Sequence, residues 1–250
     1  MRDVSRYVSA LQHGAERMRS GTLPMSLRLL CELHAELLRD GRGAHQAPGE
    51  FRRSQNWIGG TRPGNARYVP PPPHEMHAAL DNFEQYLHDA YGRTPPILKA
   101  GIAHAQFETI HPFLDGNGRV GRLLVSLLFV ADGVLQQPFF YLSLYLKENR
   151  ADYYEALQRV RTHGDWEGWI RFYLVGVEAV ARQATRTTQA LLALFRDDER
   201  LEGLGIAKEI TGRARGRLYA YERQLEILNR GVGEGVAPTE TGPPPLRGTP

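Results

Sequence analysis

A chain of 250 residues with 42% hydrophobic side chains can bury a sizeable core, and a net charge of +3 gives no strong case for nucleic acid as its main partner. Its single cysteine, Cys31, excludes an internal disulfide, suits a reducing compartment and reads as a core thiol within the apolar run 29–33. The polar start MRDVSRYVSALQHG is no secretory signal, and the longest apolar stretch, 123–135, is interrupted by Asp132 and shorter than the roughly 18 residues of a membrane span, so a soluble cytoplasmic protein without membrane association is expected.

Residues 1–40 read as two helices separated near 20-SGTLP-24, where Gly21 and Pro24 interrupt the pattern and Ser26 is placed to cap the second. In that second helix Leu27, Leu30, Cys31, His34 and Leu38 recur at helical spacing. Segment 41–73 is punctuated throughout by glycine and proline and is too long for a plain connector, which marks it as a functional loop. An amphipathic helix follows over 74–90, with Met76, Leu80, Phe83 and Leu87 on one face. Pro95 and Pro96 open the next helix, expected to run to about Ile110. The nearly all-apolar helix from about Gly118 to Ala131 belongs at the centre of a bundle. Further helices are expected over 147–162 and 165–195, with Trp166, Trp169, Phe172 and Tyr173 in the core. Late in the chain, 205–210 and 217–221 flank 211-TGRARG-216 as a β-hairpin, and the tail from Gly231 has the composition of a disordered segment.

Between the helices that end near Ile110 and start near Gly118 lies 111-HPFLDGNGRVGR-122. Pro112 disfavours a helical His111, so the helix should stop there and hold the imidazole at the start of a loop, available as a general base. Gly116 and Gly118 permit backbone conformations closed to other residues, just before a helix N-terminus whose free N–H groups favour an anion. Asn117 either adds a side-chain donor or positions the loop. Arg119 and Arg122, three apart, can reach the same anion, and Asp115 suits Mg²⁺ held jointly by carboxylate and phosphate oxygens. Each residue alone has a structural reading, as helix end, Asp-Gly turn or solvated arginine pair; their conjunction points to a metal-bound polyphosphate beside a base. GxxxxGK[ST] occurs nowhere, and 74-HEMH-77 lacks the i, i+4 spacing of a zinc hydrolase.

These twelve residues match the Fic signature HPFx[D/E]GNGRxxR at every defined position. The resemblance extends over about 25–195, through PGEFRRSQNWIGG, YVPPPP, AHAQFETIHPF and LYLKENRADYYEAL. It implies an all-α Fic-fold helical bundle with a short β-hairpin flap, and Mg²⁺-dependent transfer of AMP from ATP to a Ser, Thr or Tyr hydroxyl of a target protein. It also implies roles by position. His111 would deprotonate the hydroxyl, with Asn117 beside it, and Asp115 would bind Mg²⁺ bridging the α and β phosphates. Gly116, Asn117 and Gly118 would form the anion hole, Arg119 would contact the phosphates, Arg122 would hold the γ-phosphate, and Phe113 would anchor the loop. Tyr153, Tyr154 and Leu157 match positions near the adenine pocket of relatives, against the alternative that helical aromatics are core. Segment 57–69 resembles the family flap, which aligns a target's extended backbone by strand addition.

Two departures bear on regulation. The inhibitory pattern [S/T]xxxE[G/N] of many relatives is missing, so a brake is expected from a partner protein, from sequence trimmed away, or not at all. Residues 204–231 resemble the last hairpin and tail of a winged helix without its recognition helix, which argues against sequence-specific DNA binding while Arg213, Arg215 and Arg217 remain able to touch phosphate. The expected organisation is a Fic domain over 1–195, a truncated winged-helix-like piece over 196–230 and a disordered tail over 231–250. Alternatives are a Fic-fold transferase of UMP or phosphate and a catalytically decayed regulatory module; a homodimer is left open.

Overall fold

The computed structural model describes residues 2–39, 43–88, 94–138, 140–201, 208–209 and 219–220. Two helices organise the first of its two units, Met1–Ala181. Helices α1 (Arg2–Arg19) and α2 (Leu27–Leu38) pack on each other, and both pack on α5 (Asn117–Ala131). Helix α3 (Pro73–Leu87) and helix α7 (Arg150–His163) pack on α4 (Pro96–Ile110), which lies against α5. The two central helices are antiparallel, since Lys99 near the start of α4 pairs at 3.4 Å with Asp132 just past the end of α5, while His104 Nδ1 meets the Gly121 carbonyl at 2.8 Å.

Sequence pattern accounts for most of this. Met76, Leu80, Phe83 and Leu87 of α3 are all buried, as a one-faced apolar stripe requires. Helix α5 buries Val120, Leu123, Leu124, Val125, Leu127, Leu128 and Phe129, a set spread around its whole circumference, and so it occupies the centre. Ser26 caps α2 by accepting from the Leu29 N–H at 3.3 Å. Close approach of α4 to α5 depends on Gly121, where a Cβ would fall 2.9 Å from Glu108 Oε1. Cys31 is half-buried against the core, and burial pushes its thiol up to about 11, which suits packing rather than reactivity.

Three local expectations need correction. Helix α6 (Leu142–Glu148) precedes α7 as a separate element, because Asn149 leaves helical geometry at φ −104°, ψ 40°, and its side-chain amide donates to the Tyr145 carbonyl at 3.0 Å. Helix α8 runs from Trp166 to Leu201, past the expected end at 195. Trp169 and Tyr173 are fully buried, whereas Trp166, the first residue of α8, is 38% exposed. Among the described residues no helix is long and apolar enough to cross a membrane.

The second unit, Arg182–Pro250, contains the rest of α8 and the strands β1 (Lys208–Glu209) and β2 (Tyr219–Ala220), antiparallel with Lys208 opposite Ala220. Most of the winged-helix-like segment and the whole of the tail over 231–250 lie outside the described residues.

Candidate active site

Helix α4 stops at Ile110, and His111 takes the left-handed conformation, φ 49° and ψ 60°. Such a backbone is uncommon for a residue with a side chain and must be held by its surroundings. Arg52, 1% exposed, does much of the holding: its Nε donates to the His111 carbonyl at 3.0 Å, Nη1 to the Ser54 carbonyl at 3.2 Å and Nη2 to the Pro71 carbonyl. Its backbone N–H donates to the Pro112 carbonyl at 2.8 Å. Two further side chains satisfy the last carbonyls of α4, which lack intrahelical partners. Tyr68 Oη donates to Thr109 at 2.9 Å and Arg161 Nη2 to Glu108 at 2.9 Å, with the Arg161 guanidinium stacked 4.0 Å over the Tyr68 ring. None of Arg52, Tyr68 and Arg161 was singled out from sequence.

The bend after His111 is braced from inside. Asn117 is buried, with Oδ1 accepting from the Phe113 N–H at 2.9 Å and Nδ2 donating to the Phe113 carbonyl at 2.7 Å. With both ends of the amide committed, its side chain positions the loop, the second of the two roles the sequence offered for it. Phe113 is fully buried and stacks on His34 with ring centroids 3.8 Å apart and planes at 12°. The Gly49 N–H can only donate to His34 Nδ1, at 2.9 Å, so the ring carries its proton on Nε2 and donates to the Asp115 carbonyl at 2.9 Å. Burial lowers the pKa of His34 and favours this neutral form.

Gly116 caps α5 at φ +82°, and a Cβ there would lie 2.8 Å from Leu38 Cδ1. Both the torsion and the space require glycine, so Gly116→Ala is expected to cost about 1–3 kcal/mol. Thermal melting curves of the variant and wild type check this.

Around this bend the charges are arranged for an anion. The first N–H groups of α5 lack helical acceptors and carry the positive end of the helix dipole. Arg119 Nη2 lies 3.5 Å from Asp115 Oδ2. Gly118 lets the half-buried Arg122 lie over the first turn, its Nη1 3.1 Å from where a Cβ would stand. Asp115, its side chain 40% exposed, accepts from the Gly116 N–H through Oδ1 at 2.6 Å and faces Arg119 through Oδ2. Among the described residues no three His, Cys, Asp or Glu side chains cluster as a metal cage. One exposed carboxylate beside an anion nest does fit Mg²⁺, which takes its other ligands from phosphate and water.

Behind His111 lies Glu108, a carboxylate that is 5% exposed, with Oε2 3.6 Å from His111 Nδ1. Burial alone would raise the Glu108 carboxyl, but His111, His104 and Arg122 more than reverse this and hold it at about 2. A carboxyl depressed in the folded state stabilises the fold above its unfolded value of 4.5 and loses that contribution as pH falls through about 2. Glu108→Gln should therefore flatten the decline in melting temperature across this acid window; an unchanged slope would contradict the assignment.

The three residues matched to an adenine pocket separate here. Tyr153 is buried, its Oη donating to His104 Nε2 at 3.0 Å, and Leu157 is 1% exposed. Both serve the core, because the buried His104 needs a donor at Nε2 once Nδ1–H is used on Gly121. Tyr154 alone of the three is half-buried, with the guanidinium groups of Arg67 and Arg150 at 5.8 and 5.5 Å from its ring. The flap expected at 57–69 is pinned by Ile58 pairing antiparallel with Tyr68, and Asn65 Oδ1 gathers the Thr61 and Arg62 N–H groups at 2.9 Å each. Trp57 and Val69, at the ends of this segment, are 40% and 41% exposed.

Residues 24–129 match the sequence profile of the Fic/DOC family. The chain is 34% identical over 217 residues to a protein adenylyltransferase Fic from Aedes aegypti, covering 85% of this chain and 38% of that protein. It is 33% identical over 154 residues to a protein adenylyltransferase Fic from Drosophila willistoni, covering 60% of this chain and 27% of the relative. The chain thus spans well under half the length of these curated relatives. A solved Fic family protein from Desulfovibrio desulfuricans superposes over 81% of this chain and 63% of its own, with a TM-score of 0.59 at 22% identity. A Fic domain containing signaling protein from Bacteroides thetaiotaomicron does so over 72% of each chain, at 0.52 and 18% identity. These two likenesses concern the helical fold.

Proposed function

Because this chain belongs to the Fic/DOC family through its residues 24–129, we propose that it is a protein adenylyltransferase, moving AMP from ATP to a Ser, Thr or Tyr hydroxyl of a target protein. One observation carries the reading: a single bend between α4 and α5 holds an imidazole at one end and the helix N-terminus with Arg119 and Arg122 at the other. In-line attack on an α-phosphorus needs positioning and charge neutralisation more than covalent chemistry, and this bend supplies both.

His111 takes the proton of the incoming hydroxyl, whose oxygen bonds to the α-phosphorus as the bond to pyrophosphate breaks. The α5 N–H groups, Arg119 and Arg122 receive the phosphates, and Gly116 and Gly118 keep the backbone close enough to do so. Asp115 is the residue that would hold Mg²⁺, which when bound neutralises charge on the α and β phosphates. The flap between Trp57 and Val69, two residues that are 40% and 41% exposed, offers an edge along which a target segment can align. The work is assigned to the cytoplasm, where ATP and protein targets meet.

Intact-mass analysis tests the reading. The purified chain, alone and with soluble cell protein, is incubated with Mg²⁺ and ATP or UTP. A gain of one AMP from ATP is the expected outcome; a gain of UMP, or of phosphate alone, would replace adenylyl transfer by another cargo on the same site.

A further inference from the structure

We propose that Glu108 is a positioning residue: its buried carboxylate holds the His111 ring with a proton on Nδ1, leaving Nε2 as the atom that removes the acceptor's proton. This rests on the adenylyltransferase reading for its chemistry but on geometry alone for the pairing.

The two residues stand three apart across the end of α4, where side chains share a face. Glu108 Oε2 lies 3.6 Å from His111 Nδ1, and the side chains are only 7% and 18% exposed. Among the described residues, His111 Nδ1 and Glu108 Oε1 are both buried without a hydrogen-bond partner. A buried ring nitrogen without a hydrogen-bond partner is costly to keep unless it joins the carboxylate oxygen beside it, here Oε2, and contacts of this sort are commonly long before substrate binds.

Other groups around the carboxylate are already committed or stand farther off. His104, on the same helix, uses Nδ1 on the Gly121 carbonyl and Nε2 on Tyr153 Oη. Arg161 and Tyr153 face Glu108 from α7 and Arg122 from α5, yet the ion pair formed by its carboxylate among the described residues is the one with His111. Gly121 opens the space, since any Cβ there would press on Oε1 at 2.9 Å. Both ends of the pair are anchored through the backbone, the Glu108 carbonyl by Arg161 and the His111 carbonyl by Arg52.

In the transfer step the proton passes from the target hydroxyl to Nε2, the new oxygen–phosphorus bond forms, and pyrophosphate leaves. Glu108 stays ionised and faces the imidazolium that results. A neutral glutamine cannot stabilise that cation, and its amide can donate as well as accept, so it does not impose one tautomer.

The test uses the full chain with ¹⁵N-labelled histidine, reading the ring nitrogens of His111 by two-bond proton–nitrogen correlation in wild type and Glu108→Gln. Neutral wild-type His111 is expected to carry its proton on Nδ1, and the variant to populate both tautomers. AMP transfer should fall about 100-fold in kcat, with KM for ATP within about twofold of wild type. A wild-type ring protonated on Nε2 overturns the proposal, as does a variant with unchanged tautomer and unchanged kcat. Should the variant not fold, the wild-type spectrum decides alone. Because that spectrum needs no substrate, an Nδ1–H ring in a chain that transfers no AMP sinks the adenylyltransferase reading and leaves the pairing standing.

Discussion

His111→Ala is expected to lower AMP transfer by about 10²–10⁴-fold, the range spanned by removal of a positioned general base. Neither neighbouring carboxylate can replace it: Glu108 is buried behind the ring, and Asp115 is turned toward Gly116 and Arg119. The backbone of residue 111 is held by Arg52 and by the Phe107 carbonyl, which accepts its N–H at 2.8 Å, so the bend should survive the substitution. Removal of the ring leaves Glu108 without its ion-pair partner, and a loss of about 1–3 kcal/mol is expected from that exposed debt of a buried acceptor. Intact-mass labelling of the variant with ATP, beside its circular dichroism and melting curve, separates catalysis from folding. A variant that labels itself or a target as fast as wild type would remove His111 from the mechanism.

Arg52→Ala should cause the largest loss of stability of any single change near the site. Its guanidinium is buried and is satisfied by the carbonyls of His111, Ser54 and Pro71. Truncation leaves these acceptors to find water or remain unpaired, at about 1–3 kcal/mol for each one fully buried, so a total of about 3–5 kcal/mol is reasonable. For a unit of this size that corresponds to a fall of roughly 10 °C in melting temperature. The same carbonyls tie the base to both ends of the flap, so transfer should fail even at temperatures where the variant is folded. Arg52→Lys should not rescue, because one ammonium cannot reproduce a planar fork of donors. An Arg52→Ala chain within about 1 kcal/mol of wild type by denaturant unfolding would show that the carbonyls find other partners.

The sequence by itself determined whatever depends on local torsions and on a repeating pattern. His111 before Pro112 predicted the end of α4, Ser26 its capping role at α2, and the spacing of Met76, Leu80, Phe83 and Leu87 the buried face of α3. The nearly all-apolar character of 123–129, broken only by Ser126, placed α5 at the centre, and the order of side chains in 111–122 was enough to point to the family whose profile residues 24–129 match. Boundaries set by one residue's side chain were less legible, as with Asn149, whose amide ends α6 where the pattern alone runs on.

Tertiary structure alone decided how the site is supported. Arg52, Tyr68 and Arg161 lie 59, 41 and 53 residues from the His111, Thr109 and Glu108 carbonyls they satisfy at the end of α4, and a backbone carbonyl has no sequence signature, so no spacing records those bonds. The same holds for His34, which meets Asp115 across 81 residues, and for Tyr153, whose place in the core follows from what His104 requires. Glu108 did leave a trace as the single acidic residue of α4, three before the histidine. Its importance emerges only once Gly121 allows α5 to close over it, since a charge acquires meaning from the groups that exclude water from it.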